Sequence, residues 1–372
     1  MSIQNLESLS ALSALDISFN QLATVAPSAS LLSLSSLRVS NNQLHSLDVG
    51  TFPSLTLLYL DHNYLFTVSG LAQCPDLEIF SAREQMITGD LNGGFFDVDL
   101  GLVKDVRKVF LSSNKLSLQC LSPSGPLSGL QLLDVASCNI QSLPKDFALS
   151  FPNVRVLNLN FNSLSGINEL AGLNCLSRLT IAGNCIVRLR RLCQVLSRIG
   201  RTNKAKVSTL QKVDVRGNPL TVRFYPPAVT GSGQARDKKN LEVEDELSQH
   251  GQVGLDIQSV LAEFAHGEDL ECSMINENDD EVTPEKIVEI NDPYTLPPAD
   301  LQADRKYLSH LDEPTRLRRK VFELMLYAGT GGSLRFLDGL QLRPTLEPGS
   351  DMDHAWKRLE KLGVLKRKAI TG

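Results

Sequence analysis

Metal and nucleophilic chemistry need clustered histidines or cysteines, and this chain carries six of the first and seven of the second. His45, His62, His250, His266, His310 and His354 show no metal-binding spacing, and none follows a nucleophile motif. Cys74, Cys120, Cys138, Cys175, Cys185, Cys193 and Cys272 contain no C-x-x-C pair. Most fall where a small apolar side chain fits, so they read as structural. Neither a P-loop nor a dinucleotide fingerprint is present, and Gly329-Thr330-Gly331-Gly332 is explained by a helix stop. No cofactor, no metal and no enzymatic activity are expected. The chemistry left to the chain is recognition.

Three sets of residues could carry it. Leu57, Tyr59, Ile79, Phe110, Leu132 and Val156 recur at equivalent positions along the first half of the chain. Together they predict an apolar patch, rimmed by Asp61, Arg83, Lys108 and Asp134 and continued at one end by the basic residues Arg178, Lys212 and Arg216. An exposed patch of this kind marks an interaction site, with its aromatics as hot spots. A partner segment with an apolar centre and acidic or phosphorylated residues at one end would match it. The bland alternative is that these side chains cover one another or lie under a loop of the same chain.

The second set is Arg188, Arg190, Arg191, Arg198 and Arg201, which with Lys204 and Lys206 makes residues 186–207 basic and free of acids. Apolar residues at helical spacing predict a helix near 187–206, apolar inward and basic outward. It is a solvated face, a dock for the chain's own acidic insertion or for an acidic partner, or, less well supported without interleaved aromatics, a nucleic-acid contact. The third is Thr283, followed by Pro284, a candidate phosphorylation site.

The elements that must position these residues follow from one pattern. L-x-x-L-x-L-x-x-N recurs nine times, its ninth position falling at Asn20, Asn42, Asn63, Gln85, Asn114, Cys138, Asn162, Asn184 and Asn218. Each copy is one unit that buries its apolar face only against its neighbours, so the fold expected is an α/β leucine-rich-repeat solenoid with a parallel concave sheet. Positions one, four and six point inward; three, five and seven face the concave side. Gln85 and Cys138 are weaker substitutes for Asn. A kink or an excursion is expected at Gln85, with the glycine-rich stretch 89–101 bulging from it.

The net charge of −5 hides an asymmetry: residues 241–292 hold sixteen acids and one base, Lys286. Four divisions are expected. They are repeats over 1–228, an acidic flexible insertion over 229–298, capping helices and a last half-repeat over 299–345, and a tail helix over 346–372. The absence of any apolar run near twenty residues, of a signal peptide and of a cysteine framework predicts a reduced, soluble, intracellular protein that enters no membrane. The chain begins inside the array with no polar cap, as an excised C-terminal part of a longer protein would.

The junction Val213-Asp214-Val215-Arg216-Gly217-Asn218-Pro219-Leu220, then Phe224-Tyr225-Pro226-Pro227, an acidic excursion, Arg316 to Leu326 and the closing Leu334 to Gly339 is similar to a known family. It resembles the C-terminal leucine-rich-repeat domain of fungal spindle-pole-body scaffolds of the septation initiation and mitotic exit networks, more distantly centriolin. The resemblance implies a cytoplasmic, cytoskeletal scaffold at the spindle pole body that times mitotic exit, septation and cytokinesis. It implies protein partners: a pole-body anchor, the network's small GTPase with its two-part activating complex, and a kinase with its coactivator. It transfers no binding residue. The alternatives are a splicing-type ribonucleoprotein adaptor and a GTPase-activating solenoid.

Overall fold

The computed structural model describes residues 9–27, 29–87, 94–103, 105–201, 208–226 and 294–342, with positions 354, 357, 358 and 361. Thr283 and most of the acidic stretch lie outside the described residues. In chain order the strands are β1 (Ala14–Asp16), β2 (Ser36–Arg38), β3 (Ser46–Asp48), β4 (Leu57–Tyr59), β5 (Thr67–Ser69), β6 (Ile79–Ser81), β7 (Lys108–Phe110), β8 (Leu132–Asp134), β9 (Val156–Asn158), β10 (Arg178–Thr180), β11 (Lys212–Asp214), β12 (Phe336–Leu337) and β13 (Leu340–Gln341).

Each repeat contributes its third to fifth positions as one strand. These strands pair in parallel and in a single register, so Leu37, Leu58, Phe80, Val109, Leu133, Leu157, Leu179 and Val213 stack as one buried column. The chain is a leucine-rich-repeat solenoid. On the convex side β3 and β5 form a second, two-stranded sheet that the repeat pattern does not encode.

Strand continuity is secured by the ninth position. The Asn63 amide donates to Leu60 O at 2.9 Å and to Val39 O of the previous repeat at 3.0 Å, and accepts from Leu44 N at 3.1 Å. Asn42, Asn162 and Asn184 repeat the arrangement. Buried backbone groups that strand pairing leaves unmet are thereby satisfied.

Gln85 serves the ladder as well as an asparagine does. Its longer amide reaches Leu60 O and Arg83 O, both at 3.0 Å, and accepts from Leu65 N at 3.0 Å, so the ladder runs through it and β6 pairs with β7 in the common register. Of the bulge expected over 89–101, residues 89–93 lie outside the described residues. From Phe96 the chain is pinned to the convex side by bridges to Thr67 and Leu116, and Phe96, Val98 and Leu100 are buried.

Short helices α1 (Leu118–Leu121) and α2 (Phe147–Ser150) precede α3 (Leu189–Leu196). The helix expected to reach 206 ends ten residues sooner, because Gly200 takes a left-handed φ of 69° and its N–H bonds Leu173 O. Leu192, Val195 and Leu196 face the core, while Arg188, Arg190 and Arg191 are exposed. Arg198 and Arg201 lie beyond the helix.

The C-terminal end is closed by α4 (Leu301–His310) and α5 (Glu313–Gly329). Asp312 accepts from Thr315 N at 3.0 Å and Pro314 fills the first turn, which is why α5 starts there. Phe322, Leu324 and Leu326 are buried. Arg201 donates to Gly329 O at 3.0 Å, binding the last turn of α5 to the repeats. β12 then pairs in parallel with β11, and β13 turns back on it through Asp338-Gly339. Asp338 accepts from Val215 N at 2.6 Å, so a side chain meets a backbone donor that the last strand would otherwise leave unpaired. Residues 354, 357, 358 and 361 are helical, and Arg358 pairs with Glu313.

Candidate functional site

Because the strands share one register, the concave face is ruled into two rows. The third positions read Leu57, Ile79, Lys108, Leu132, Val156, Arg178, Lys212; the fifth read Tyr59, Ser81, Phe110, Asp134, Asn158, Thr180, Asp214. The apolar residues expected to form one patch are therefore interrupted by Lys108 in one row and by Ser81 and Asp134 in the other. None is strongly exposed: Leu132 is buried, and Leu57, Tyr59, Ile79, Phe110 and Val156 are half-buried. The two aromatics lie under cations. Arg38 sits 4.5 Å from the Tyr59 ring centre, and Arg83 sits 4.6 Å from that of Phe110.

The charges expected at the rim form the centre instead. Arg83 pairs with buried Asp134 at 3.0 Å. Asp61 accepts from Arg83 N at 2.8 Å and Ser81 Oγ at 2.6 Å. Beside them Glu84 and His62 occupy the eighth positions of their repeats, both left-handed, and meet at 3.1 Å. The bond to Glu84 raises the His62 pKa against the opposing effect of burial. For Glu84, burial acts upward, but the bonds from His62 and Tyr294 outweigh it and its pKa is lowered, so the carboxylate stays ionised at neutral pH.

Tyr294 belongs to the chain's return from the acidic stretch, which was expected to run to 298. Its ring is 7% exposed and lies on the concave face, 5.7 Å from Arg83, with its hydroxyl donating to Glu84. Its carbonyl accepts from Asn160 at 2.9 Å and Asn158 at 3.3 Å. Two residues on, Leu296 O lies 3.5 Å from Arg216. Residues 294–296 therefore cross the face over β9 to β11.

The crossing reaches the basic end at Arg216. Arg216 is held by Asp214 at 2.6 Å and is half-buried; Lys212 is 5.9 Å from the Phe336 ring; Arg178 is half-buried on the neighbouring strand. Asp338 is fully buried nearby. Burial first, and then the charge of Asp214, push its carboxyl up to about 7.

Among the described residues nothing crosses the other end of the face. Asp16, Phe19, Arg38, Tyr59, Asp61 and His62 line a shallow depression, with Phe19 82% exposed. Phe19, Asn158, Asn160, Glu84 and Tyr294 were not singled out by sequence reasoning. Two asparagines at alternate positions of one strand, and a lone tyrosine where the acidic run ends, were the available signals.

The described cysteines offer no reactive thiol cluster. Cys74, Cys120 and Cys138 are buried, and burial pushes Cys74 up to about 11 and Cys193 to about 12. Among the described residues no group of three or more potential ligands could hold a metal ion, and no helix is long and apolar enough to cross a membrane.

Residues 128–186 match the family model for the leucine rich repeat. Over 183 residues the chain is 33% identical to the septation initiation network scaffold protein cdc11 of Schizosaccharomyces pombe, covering 49% of this chain and 16% of that protein. It is 28% identical to chaoptin of Drosophila melanogaster over 187 residues, covering 47% of this chain and 14% of that one. Among solved structures, an internalin from Listeria monocytogenes aligns with a TM-score of 0.42 at 20% identity, over 58% of this chain and 66% of that one. The matched stretch thus spans about one sixth of the scaffold's length. The likeness to septation initiation scaffolds read from the Asn218-Pro219-Leu220 junction and its closing helix agrees with the second of these matches.

Proposed function

We propose that this leucine-rich-repeat solenoid is a non-catalytic docking domain of a septation initiation network scaffold, presenting its concave face to protein partners at the spindle pole body. The observation that carries this reading is the 33% identity to such a scaffold across half the chain. The geometry supports docking. The concave side chains are preset by short hydrogen bonds and ion pairs to a regular sheet, so binding immobilises few of them. At the uncovered end, Phe19, Tyr59 and Arg38 offer aromatic and cationic anchors, the residue types that dominate interface energetics. The expected partners are a pole-body anchor and components of the GTPase and kinase network, in the cytoplasm.

The test is to recover partners from mitotic extract with the intact chain and with a Phe19→Glu, Tyr59→Glu variant, after circular dichroism shows that both fold. Loss of spindle-pole and network proteins from the variant is the expected result. Unchanged recovery removes the open end as the dock, and recovery of splicing proteins in their place overturns the scaffold reading.

A further inference from the structure

Residues 294–296 are held on the concave face in the way a ligand is held. Side chains of the repeats hold them: Asn158 and Asn160 donate to Tyr294 O, Arg216 to Leu296 O, and Glu84 accepts from the Tyr294 hydroxyl. The groups that hold them are built in advance. Asn160 Oδ1 is committed to Ala182 N at 2.7 Å, and Asn158 Oδ1 to Thr180 Oγ1 at 2.8 Å and Asn160 N at 3.1 Å. With both oxygens fixed on the sheet, the two Nδ2 groups are aimed into the concavity and converge on one carbonyl. Such a pair reads backbone and is indifferent to the side chain that carries it.

Selectivity comes from the other end of the tyrosine. Glu84, oriented by His62 at 3.1 Å, accepts a hydrogen bond from the phenol hydroxyl. A phenylalanine there would leave the half-buried Glu84 carboxylate without one of its donors, a loss that discriminates against an analogue lacking the hydroxyl. Arg83 flanks the ring and gives it a cationic wall.

We propose that this cradle, Asn158 and Asn160 with Glu84 and Arg83, is a recognition site for an extended segment of another protein bearing a tyrosine, and that Tyr294 is the chain's own occupant, displaced when such a partner docks. The proposal rests on the reading of the concave face as a docking surface but not on which partner docks. The occupied cradle and the open depression beside Tyr59 lie on one continuous face, with His62 bordering both.

The experiment uses the full chain and fluorescent peptides read by anisotropy. One peptide carries the sequence of residues 290–299; a second keeps only its tyrosine, with serine and alanine elsewhere; a third replaces the tyrosine with phenylalanine. The Tyr294→Ala chain, its cradle vacated, is expected to bind the first peptide at least tenfold more tightly than the wild type, whose attached copy competes at high effective concentration. The second peptide is expected within tenfold of the first, the third at least tenfold weaker than the first. Adding Asn158→Ala and Asn160→Ala to the vacated chain abolishes binding.

Equal binding of the tyrosine and phenylalanine peptides, or none to the vacated chain, overturns the proposal. So does failure of the second peptide alone, since the cradle would then be private to its own segment. A Tyr294→Ala chain that loses its cooperative fold also overturns it, because the segment would then be a structural member and not a displaceable occupant. All of these outcomes are independent of the extract experiment, so failure here leaves the scaffold reading standing.

Discussion

Gly183 occupies the eighth position of its repeat, where the chain leaves the strand with a φ of 63°. A Cβ there would sit 2.6 Å from the Phe161 ring, which is packed over it. Gly183→Ala therefore combines left-handed strain with a clash and is expected to cost about 2 kcal/mol or more in urea denaturation. Adding Phe161→Ala relieves only the clash, and the favourable coupling in a double-mutant cycle should be about 1 kcal/mol. Asp338 makes a different prediction. Its folded pKa of about 7 exceeds the ordinary 3.8, so between those values the folded chain binds a proton that the unfolded chain releases. Its contribution is complete below the ordinary value and is lost as pH rises through about 7. Asp338→Asn keeps an acceptor for Val215 N, and in thermal melts it should lie above the wild type at pH 8, with the gap closing towards pH 4. Nothing in the local sequence announces this. Asp338-Gly339 reads as a turn, and only the stacking of β12 on β11 brings Asp214 beside it.

At the level of the element, the ninth-position ladder separates buried from exposed copies of one residue. Asn162→Ala strips partners from Cys138 N, Ile140 N, Val135 O and Leu159 O, all in the core, and should cost about 3 kcal/mol at the denaturant midpoint. Asn20→Ala, whose bonds to Ile17 O and Ser18 O are exposed, should cost less than about 1 kcal/mol. The concave strands β1, β2, β4 and β6 to β11 were legible, since the periodic leucines assign each of them to within a residue and fix which side faces in. The Gln85 outcome was not, because motif matching scores residue identity whereas the ladder requires only an amide that reaches two carbonyls. Likewise the end of α3 follows from the left-handed turn at Gly200 and its bond to Leu173 O, a contact between repeats that helical spacing cannot anticipate.

Over the whole molecule, the repeats couple to their neighbours, and a buried ion pair ties the two closing helices together. Arg319 bonds Asp304 through two nitrogens at 2.8 Å each, donates to Phe224 O at 2.9 Å and lies 4.4 Å from the Tyr225 ring. Arg319→Met leaves Asp304 buried without its counter-charge and should cost about 3–5 kcal/mol, whereas adding Asp304→Leu should recover much of it. Hydrogen exchange should quicken in α5 and β11 and stay unchanged in β2 to β8, as nearest-neighbour coupling requires. The crossing of Tyr294 was the least legible feature of all. It joins groups 134 and 136 residues apart, and no repeat position encodes what will lie upon it.

The uniform register has a metric consequence for anything laid across the sheet. Neighbouring strands are spaced by about 4.8 Å, while an extended chain advances about 3.3 Å per residue. The two rulers act as a vernier, coinciding about once in every three residues and two repeats. A crossing segment meets the face at sparse anchor points, and residues 294–296 do so at Asn160 and again at Arg216, whose long side chain spans the difference between two residues and two strand spacings. One residue inserted between two anchors displaces the second by most of a strand spacing, so phase, more than composition, decides what this surface accepts.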